Sequence, residues 1–176
     1  TKNVVLNNKA GRCLKLTVNR VIRVLANEMY IIERDKLKKG ASMKELNELH
    51  LPDDIRYTED HEWAKKTGDT IKIGISDYAQ DQLGDIVYVE LPQVGAGFDQ
   101  KQQCGTIESV KAVSEMYMPI GGEVIAVNPE LEGAPELLNK DPYGKGWMFE
   151  VKPANVAEYD QLMNKKAYLE MLKGLK

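Results

Sequence analysis
The chain has 176 residues, enough for one domain of ordinary size plus an appendage, and its 43% apolar content is usual for a globular protein. No stretch is apolar for long enough to make a membrane-spanning helix, so no membrane partner is expected. Two cysteines, Cys13 and Cys104, are too few for a disulfide framework and lack the Cys-x-x-Cys spacing of a zinc site, which points to a reducing compartment and no metal. The net charge of −3 is unevenly spread: residues 1–42 hold 10 Lys or Arg against 3 Asp or Glu (+7), and residues 43–176 hold 14 against 24 (−10). So acidic a main body would repel nucleic-acid phosphates and suits docking on basic partner surfaces.

In chain order, 1–42 comes first. Leu14, Leu16 and Val18 alternate, and Val18, Val21, Ile22 and Leu25 follow at loosely helical spacing, enough for one short strand and one helix but not for a core. The segment is as basic as a mitochondrial transit peptide, but Glu28, Glu33, Asp35 and its scarcity of serine count against that. Lys39-Gly40-Ala41-Ser42-Met43 is compatible in back-translation with a purine-rich GGAG ahead of a start codon at Met43. Two readings stand: upstream sequence translated from a misplaced start, or a genuine extension.

Beyond Met43, Ile71, Ile73 and Ile75 alternate with Lys72 and Gly74, and Val87 and Val89 alternate with Tyr88 and Glu90; each run reads as a strand with one buried face. Between them Ser76 caps an expected helix over Asp77–Leu83 that Gly84 closes. Further strands are expected over 105–108, 113–118, 123–127 and 148–151, with a short helix over 130–138. Near the C-terminus Leu162, Met163, Tyr168, Leu169 and Leu172 recur at helical spacing behind an Asn164 cap. Short strands at this spacing make a compact sandwich or flattened barrel with helices packed on it.

Chemistry-bearing residues are sparse. His50 and His61 are the only histidines, and no Ser-His-Asp set or Gly-rich phosphate loop accompanies them, so catalysis by the chain itself is not expected. His61 reads as ordering the start of a strand, and Trp63 and Trp147 as core or rim packing. One lysine is different: in Glu108-Ser109-Val110-Lys111-Ala112, a β-branched run (Thr106, Ile107) leads in and an alternating run (Val113, Glu115, Tyr117) leads out, which puts Lys111 at a hairpin turn. On that ground alone it would be an ordinary solvated charge.

The surrounding motifs decide the matter. Arg56-Tyr57-Thr58, His61-Glu62-Trp63, Ile73-Gly74-Ile75-Ser76-Asp77-Tyr78-Ala79-Gln80, Gln82-Leu83-Gly84-Asp85, Val87-Tyr88-Val89-Glu90-Leu91-Pro92 and Val94-Gly95 precede the lysine run. Pro119, Gly121-Gly122-Glu123-Val124, Val127-Asn128, Asp141-Pro142-Tyr143-Gly144 and Gly146-Trp147 follow it. In this order and spacing the chain closely resembles the H-proteins of the glycine cleavage system, and the resemblance covers most of 43–176. It implies a mainly β fold, the lipoyl/biotinyl-type β-sandwich (barrel-sandwich hybrid) with short helices and a C-terminal helical segment. It also implies lipoic acid in amide linkage on Lys111.

By the same resemblance the chain is a monomeric, non-catalytic shuttle. A pyridoxal-phosphate glycine decarboxylase would load its arm, a tetrahydrofolate-dependent aminomethyltransferase would unload it, and a flavin dihydrolipoyl dehydrogenase would reoxidise it, after a lipoate ligase or lipoyl transferase had built it. The setting implied is cytoplasmic, or the mitochondrial matrix in a eukaryote. The resemblance maps Glu62 onto the pocket for the cationic aminomethyl group and, less firmly, Asp60 and Glu115; Asp60 stands where relatives often have a small hydroxyl residue. Glu108 is the candidate for ligase recognition. A biotin carrier would flank its lysine with methionines, where Val110 and Ala112 stand here, and an acyltransferase lipoyl domain would show Asp-Lys-Ala. The closer alternative is an H-like protein that relays lipoyl groups to other lipoate-dependent enzymes.

Residues 1–42 are expected to be dispensable for the fold and the carrier function. Calorimetry on a chain of residues 43–176 should give the melting temperature of the full chain; a large loss of thermal stability would make the segment an integral part of the protein.

Overall fold
The computed structural model describes residues 3–7, 13–17 and 43–175. The chain divides into two units, Thr1–Ser42 and Met43–Lys176. In the first, strand β1 (Asn3–Asn7) pairs antiparallel with β2 (Cys13–Thr17), Asn3 opposite Thr17 and Asn7 opposite Cys13. The alternation at Leu14 and Leu16 therefore falls on a strand, while the helix expected over 18–25 lies outside the described residues.

The second unit is built from two antiparallel sheets. Strands β3 (Arg56–Tyr57), β4 (Glu62–Thr67), β5 (Thr70–Ile75), β7 (Gly97–Phe98), β10 (Gly122–Val127) and β11 (Phe149–Pro153) form one, in the order β3-β4-β5-β11-β10-β7. The other joins β6 (Ile86–Glu90), β8 (Gln103–Ser109) and β9 (Val113–Tyr117) in the order β6-β8-β9. The alternating isoleucines of β5 and Ile107, Met116, Val124, Phe149 and Val151 share one buried core, the mainly β sandwich the strand pattern predicts. Cys104 lies in the same core as a free thiol donating to the Met116 carbonyl at 3.4 Å.

Two expectations are corrected. Val87 and Val89 do not share a face: the pairing of β6 with β8 shifts between Ile86 and Tyr88, which leaves Val87 51% exposed while Ile86 and Val89 are buried. The single helix over 130–138 is two short ones, α2 (Glu130–Gly133) and α3 (Leu137–Lys140), because Pro135 between them has no N–H to continue the ladder. The other helices follow their caps. α1 (Asp77–Leu83) starts at Ser76, whose hydroxyl accepts from the Ala79 N–H at 3.2 Å, and α5 (Lys165–Gly174) starts at Asn164, which accepts from Ala167 at 3.0 Å. Between β11 and α5 lies α4 (Ala157–Gln161).

Helix α5 packs on the edge of the larger sheet through Tyr168 and Leu172, against Tyr57, Trp63, Leu51 and Ile55. The rings of Tyr57 and Tyr168 stack at 4.5 Å with 6° between their planes. Trp63 sits opposite Gly74 across β4 and β5, and a Cβ on Gly74 would come within 2.6 Å of the indole, so only glycine leaves that ring its place. The indole N–H donates to the Pro142 carbonyl at 3.1 Å, satisfying a donor that burial would otherwise strand. Edge strand β3 is covered rather than open: the Tyr57 and Met163 amides donate to each other's carbonyls at 2.8 and 3.0 Å. Residues 43–50 are tied to α1 by Asp77, which accepts from Lys44 Nζ at 2.6 Å and from the His50 N–H at 2.8 Å. Among the described residues no helix is long and apolar enough to cross a membrane.

Candidate functional site: a lysine hairpin and an acid-lined cavity
β8 and β9 meet at a turn held by Ser109. Its N–H donates to the Ala112 carbonyl at 2.8 Å, and its hydroxyl oxygen accepts from the Lys111 and Ala112 amides at 3.4 and 3.1 Å. The Val110 N–H donates to the Asp85 carbonyl at 3.0 Å, fastening the tip to the loop ahead of β6. Lys111 is exposed at this tip, beside Val110 at 69% exposure, and among the described residues no carboxylate pairs with it. A pinned backbone thus carries an exposed amine with no carboxylate of the described residues paired to it.

Glu62, the first residue of β4, is 2% exposed and so is a buried acid, not a surface charge. Oε1 accepts from the Tyr117 N–H of β9 at 2.9 Å, and Oε2 accepts from the Thr58 hydroxyl, whose oxygen in turn accepts from the Glu62 N–H at 3.0 Å. The carboxylate therefore links the two sheets. Burial pushes its pKa up, the nearby charge of Asp60 adds to this, and the hydrogen bonds from Thr58 and Tyr117 oppose it.

Asp60, Glu62 and Glu115 line a cavity of about 110 Å³ together with Leu83, Ile107 and Met116. Asp60 and Glu62 also border a larger concavity of about 340 Å³ with Thr58, Lys101, Tyr117 and Leu162. Glu115 is exposed and accepts from the Tyr117 phenol, which raises the phenol's pKa. The three acids proposed to meet an aminomethyl cation are thus brought together, with a buried carboxylate as the floor and two solvated ones at the rim. Glu108 stands apart from both cavities, on the flank of the hairpin, in register with Tyr88 of β6 and Val113 of β9.

His61 orders the start of β4, as its motif suggests. Its backbone is left-handed (φ 76°), its carbonyl accepts from the Ser76 N–H at 2.9 Å, and its Nδ1 lies 2.9 Å from the Tyr168 hydroxyl. Burial lowers its pKa. The partners Thr58 and Tyr117 of Glu62 were given no role by the sequence; Thr58 stands inside a recognised motif, whereas nothing local marks Tyr117, 55 residues away.

Two packed antiparallel sheets define the class, a β-sandwich domain, and this one presents an exposed lysine on a pinned hairpin. The family described as "Glycine cleavage H-protein" matches residues 55–175. A glycine cleavage system H protein of Thermus thermophilus is 48% identical over 126 residues, covering 72% of this chain and 98% of that protein. One of Chromobacterium violaceum is 52% identical over 120 residues, covering 68% and 94%. The crystal structure of a glycine cleavage system H protein from Mycobacterium marinum superposes with a TM-score of 0.65 at 34% identity, covering 70% of this chain and 99% of that one. The chain belongs to the glycine cleavage H-protein family, the lipoyl carriers of that system.

The buried carboxyl sets a pH dependence. A group whose pKa is raised by folding stabilises the fold below its unfolded value of 4.5 and loses that contribution as pH rises through the folded value. Glu62→Gln, which keeps an acceptor for Tyr117 and removes the charge, is expected to melt close to the parent near about pH 4 and progressively above it toward about pH 7. Parallel melting curves across that range would mean that burial does not disfavour the charge.

Proposed function
We propose that Lys111 is the point at which lipoic acid is attached, and that Glu62, Asp60 and Glu115 receive the cationic end of the loaded arm. The observation that carries the first part is the hairpin: Ser109 and the Asp85 carbonyl hold the backbone beside Val110, and Lys111 is exposed at the tip with no carboxylate of the described residues paired to it. Attachment needs an amine that attacks the acyl carbon of an activated lipoyl group such as the adenylate. The C–N bond forms, the acyl–phosphate bond breaks, and the nitrogen gives up a proton. An exposed lysine on a turn rigid enough to enter a ligase suits that chemistry, so the site fits the group. When bound, the lipoyl group supplies a dithiolane that takes up the aminomethyl group and two electrons.

The chain's own part is to hold and release. Glu62, with its desolvated carboxylate, would interact with a cation more strongly than a surface acid does, and Asp60 and Glu115 at the rim would guide the cation toward it. Around the tip, Tyr88 and Val113 are 53% and 67% exposed, and Asp85 and Glu108 lie among them. An apolar patch with an acidic margin supports docking on partners with basic mouths, with Glu108 read by the lipoate ligase or lipoyl transferase. Those partners are the glycine decarboxylase, the aminomethyltransferase and the dihydrolipoyl dehydrogenase; the chain itself is the non-catalytic member. The bacterial relatives support a cytoplasmic setting.

With lipoate ligase, ATP and lipoate, the parent is expected to gain one lipoyl mass that peptide mapping places on Lys111, and Lys111→Arg to gain none while keeping its melting temperature. A lipoyl group on Lys101 or Lys145 would overturn the assignment. Glu62→Gln is expected to be lipoylated to the parent's extent but, once loaded, to lose its aminomethyl cargo several-fold faster; equal lifetimes would leave Glu62 a purely structural link between the sheets.

A further inference from the structure
The loop after α1 is built against the lysine tip. Gly84 ends the helix at φ 71° and ψ −149°, a backbone region that side chains exclude. A Cβ placed on it would lie 3.0 Å from Cε and 3.3 Å from Nζ of Lys111, so the end of the lysine rests over a residue with no side chain. Asn139 in α3 clamps the same loop from another element. Its Nδ2 donates to the Gly84 carbonyl at 2.8 Å and to Gln80 Oε1 at 3.1 Å, and its Oδ1 accepts from the Ile86 N–H at 3.0 Å. Between those two anchored residues the Asp85 carbonyl takes the Val110 N–H, the amide directly before Lys111.

We propose that Gly84 is a saddle that determines how the lysine amine is presented for acylation, and that Asn139 is the positioning residue that holds the saddle in place. The proposal rests on the reading of Lys111 as the attachment site. A glycine at a helix end is ordinarily explained by the turn alone. Here it has a second property: the stem of the reactive lysine occupies the space a side chain would fill, and a flat backbone surface restricts that long stem without gripping it. The chain of contacts from Asn139 through Gly84 and Ile86 to Asp85, and from there to Val110, transmits the position of α3 to the tip. A misplaced tip leaves the docking face intact but moves the nucleophile off the line of attack, which appears in the rate of the chemical step rather than in binding.

The test uses the full chain with lipoate ligase, ATP and lipoate, followed by initial rates of mass gain at Lys111 and by amide hydrogen exchange. Asn139→Ala is expected to stay folded, to exchange the Val110 and Ile86 amides faster, and to lower kcat for acylation about tenfold with KM little changed. Gly84→Ala strains the backbone as well as crowding the lysine, so it is read alongside Asn139→Ala and is expected to lower kcat further. An Asn139→Ala protein with faster exchange at Val110 but the parent's kcat would overturn the positioning role, and a folded Gly84→Ala protein acylated at the parent's rate would overturn the saddle. If the parent itself is not acylated at Lys111, the attachment reading fails and the saddle with it; if the parent is acylated and both variants match it, only the saddle fails.

Discussion
Glu62 takes a hydrogen bond from the Tyr117 amide in the smaller sheet while its own backbone belongs to the larger one, and the Thr58 hydroxyl satisfies its other oxygen. Removing either donor would leave a buried carboxylate short of a partner, the costly state for a desolvated charge. The two sheets are therefore held in register at the edge where the cavity opens. Asp60, two residues before Glu62, and Glu115, two residues before Tyr117, are thereby brought to line the same hollow.

The protein separates rigidity from mobility along its length. Stacked Tyr57 and Tyr168, the indole over Gly74 and the Ser76 and Asn164 caps give a scaffold whose parts constrain one another. Lys111, by contrast, is a long exposed side chain at a turn whose backbone is held by Ser109 from within and by the Asp85 carbonyl from outside. A carrier needs both: a swinging arm is useful only if its root is in a known place when a partner docks.

Local chemistry was legible in the sequence and distant pairing was not. Ser76, Asn164 and the alternating isoleucines act within a few residues of themselves, and each does in the fold what its position suggests. Val87 misleads because the bulge in β6 shifts the alternation by one, and a bulge leaves little mark on a short β-branched run. The helix over 130–138 overlooked the missing N–H of Pro135. At the site, the lysine hairpin and the acidic residues were found through their motifs, but the burial of Glu62 depends on Tyr117 and the clamp at Gly84 on Asn139, each 55 residues away in the chain. No periodicity connects positions so far apart; only the closed sandwich brings them together.

Cys104 shows what the core withholds from chemistry. Burial, aided by the charge of Glu62, pushes its thiol up to about 12, so almost none of it is thiolate near neutral pH, and the thiolate is the form that attacks a disulfide. With a dithiolane on Lys111, as proposed, an internal nucleophilic sulfur could capture the arm as a mixed disulfide and take the molecule out of circulation. Placing Cys104 on the inward face of β8 makes it a small apolar filler that is chemically silent toward such a cargo.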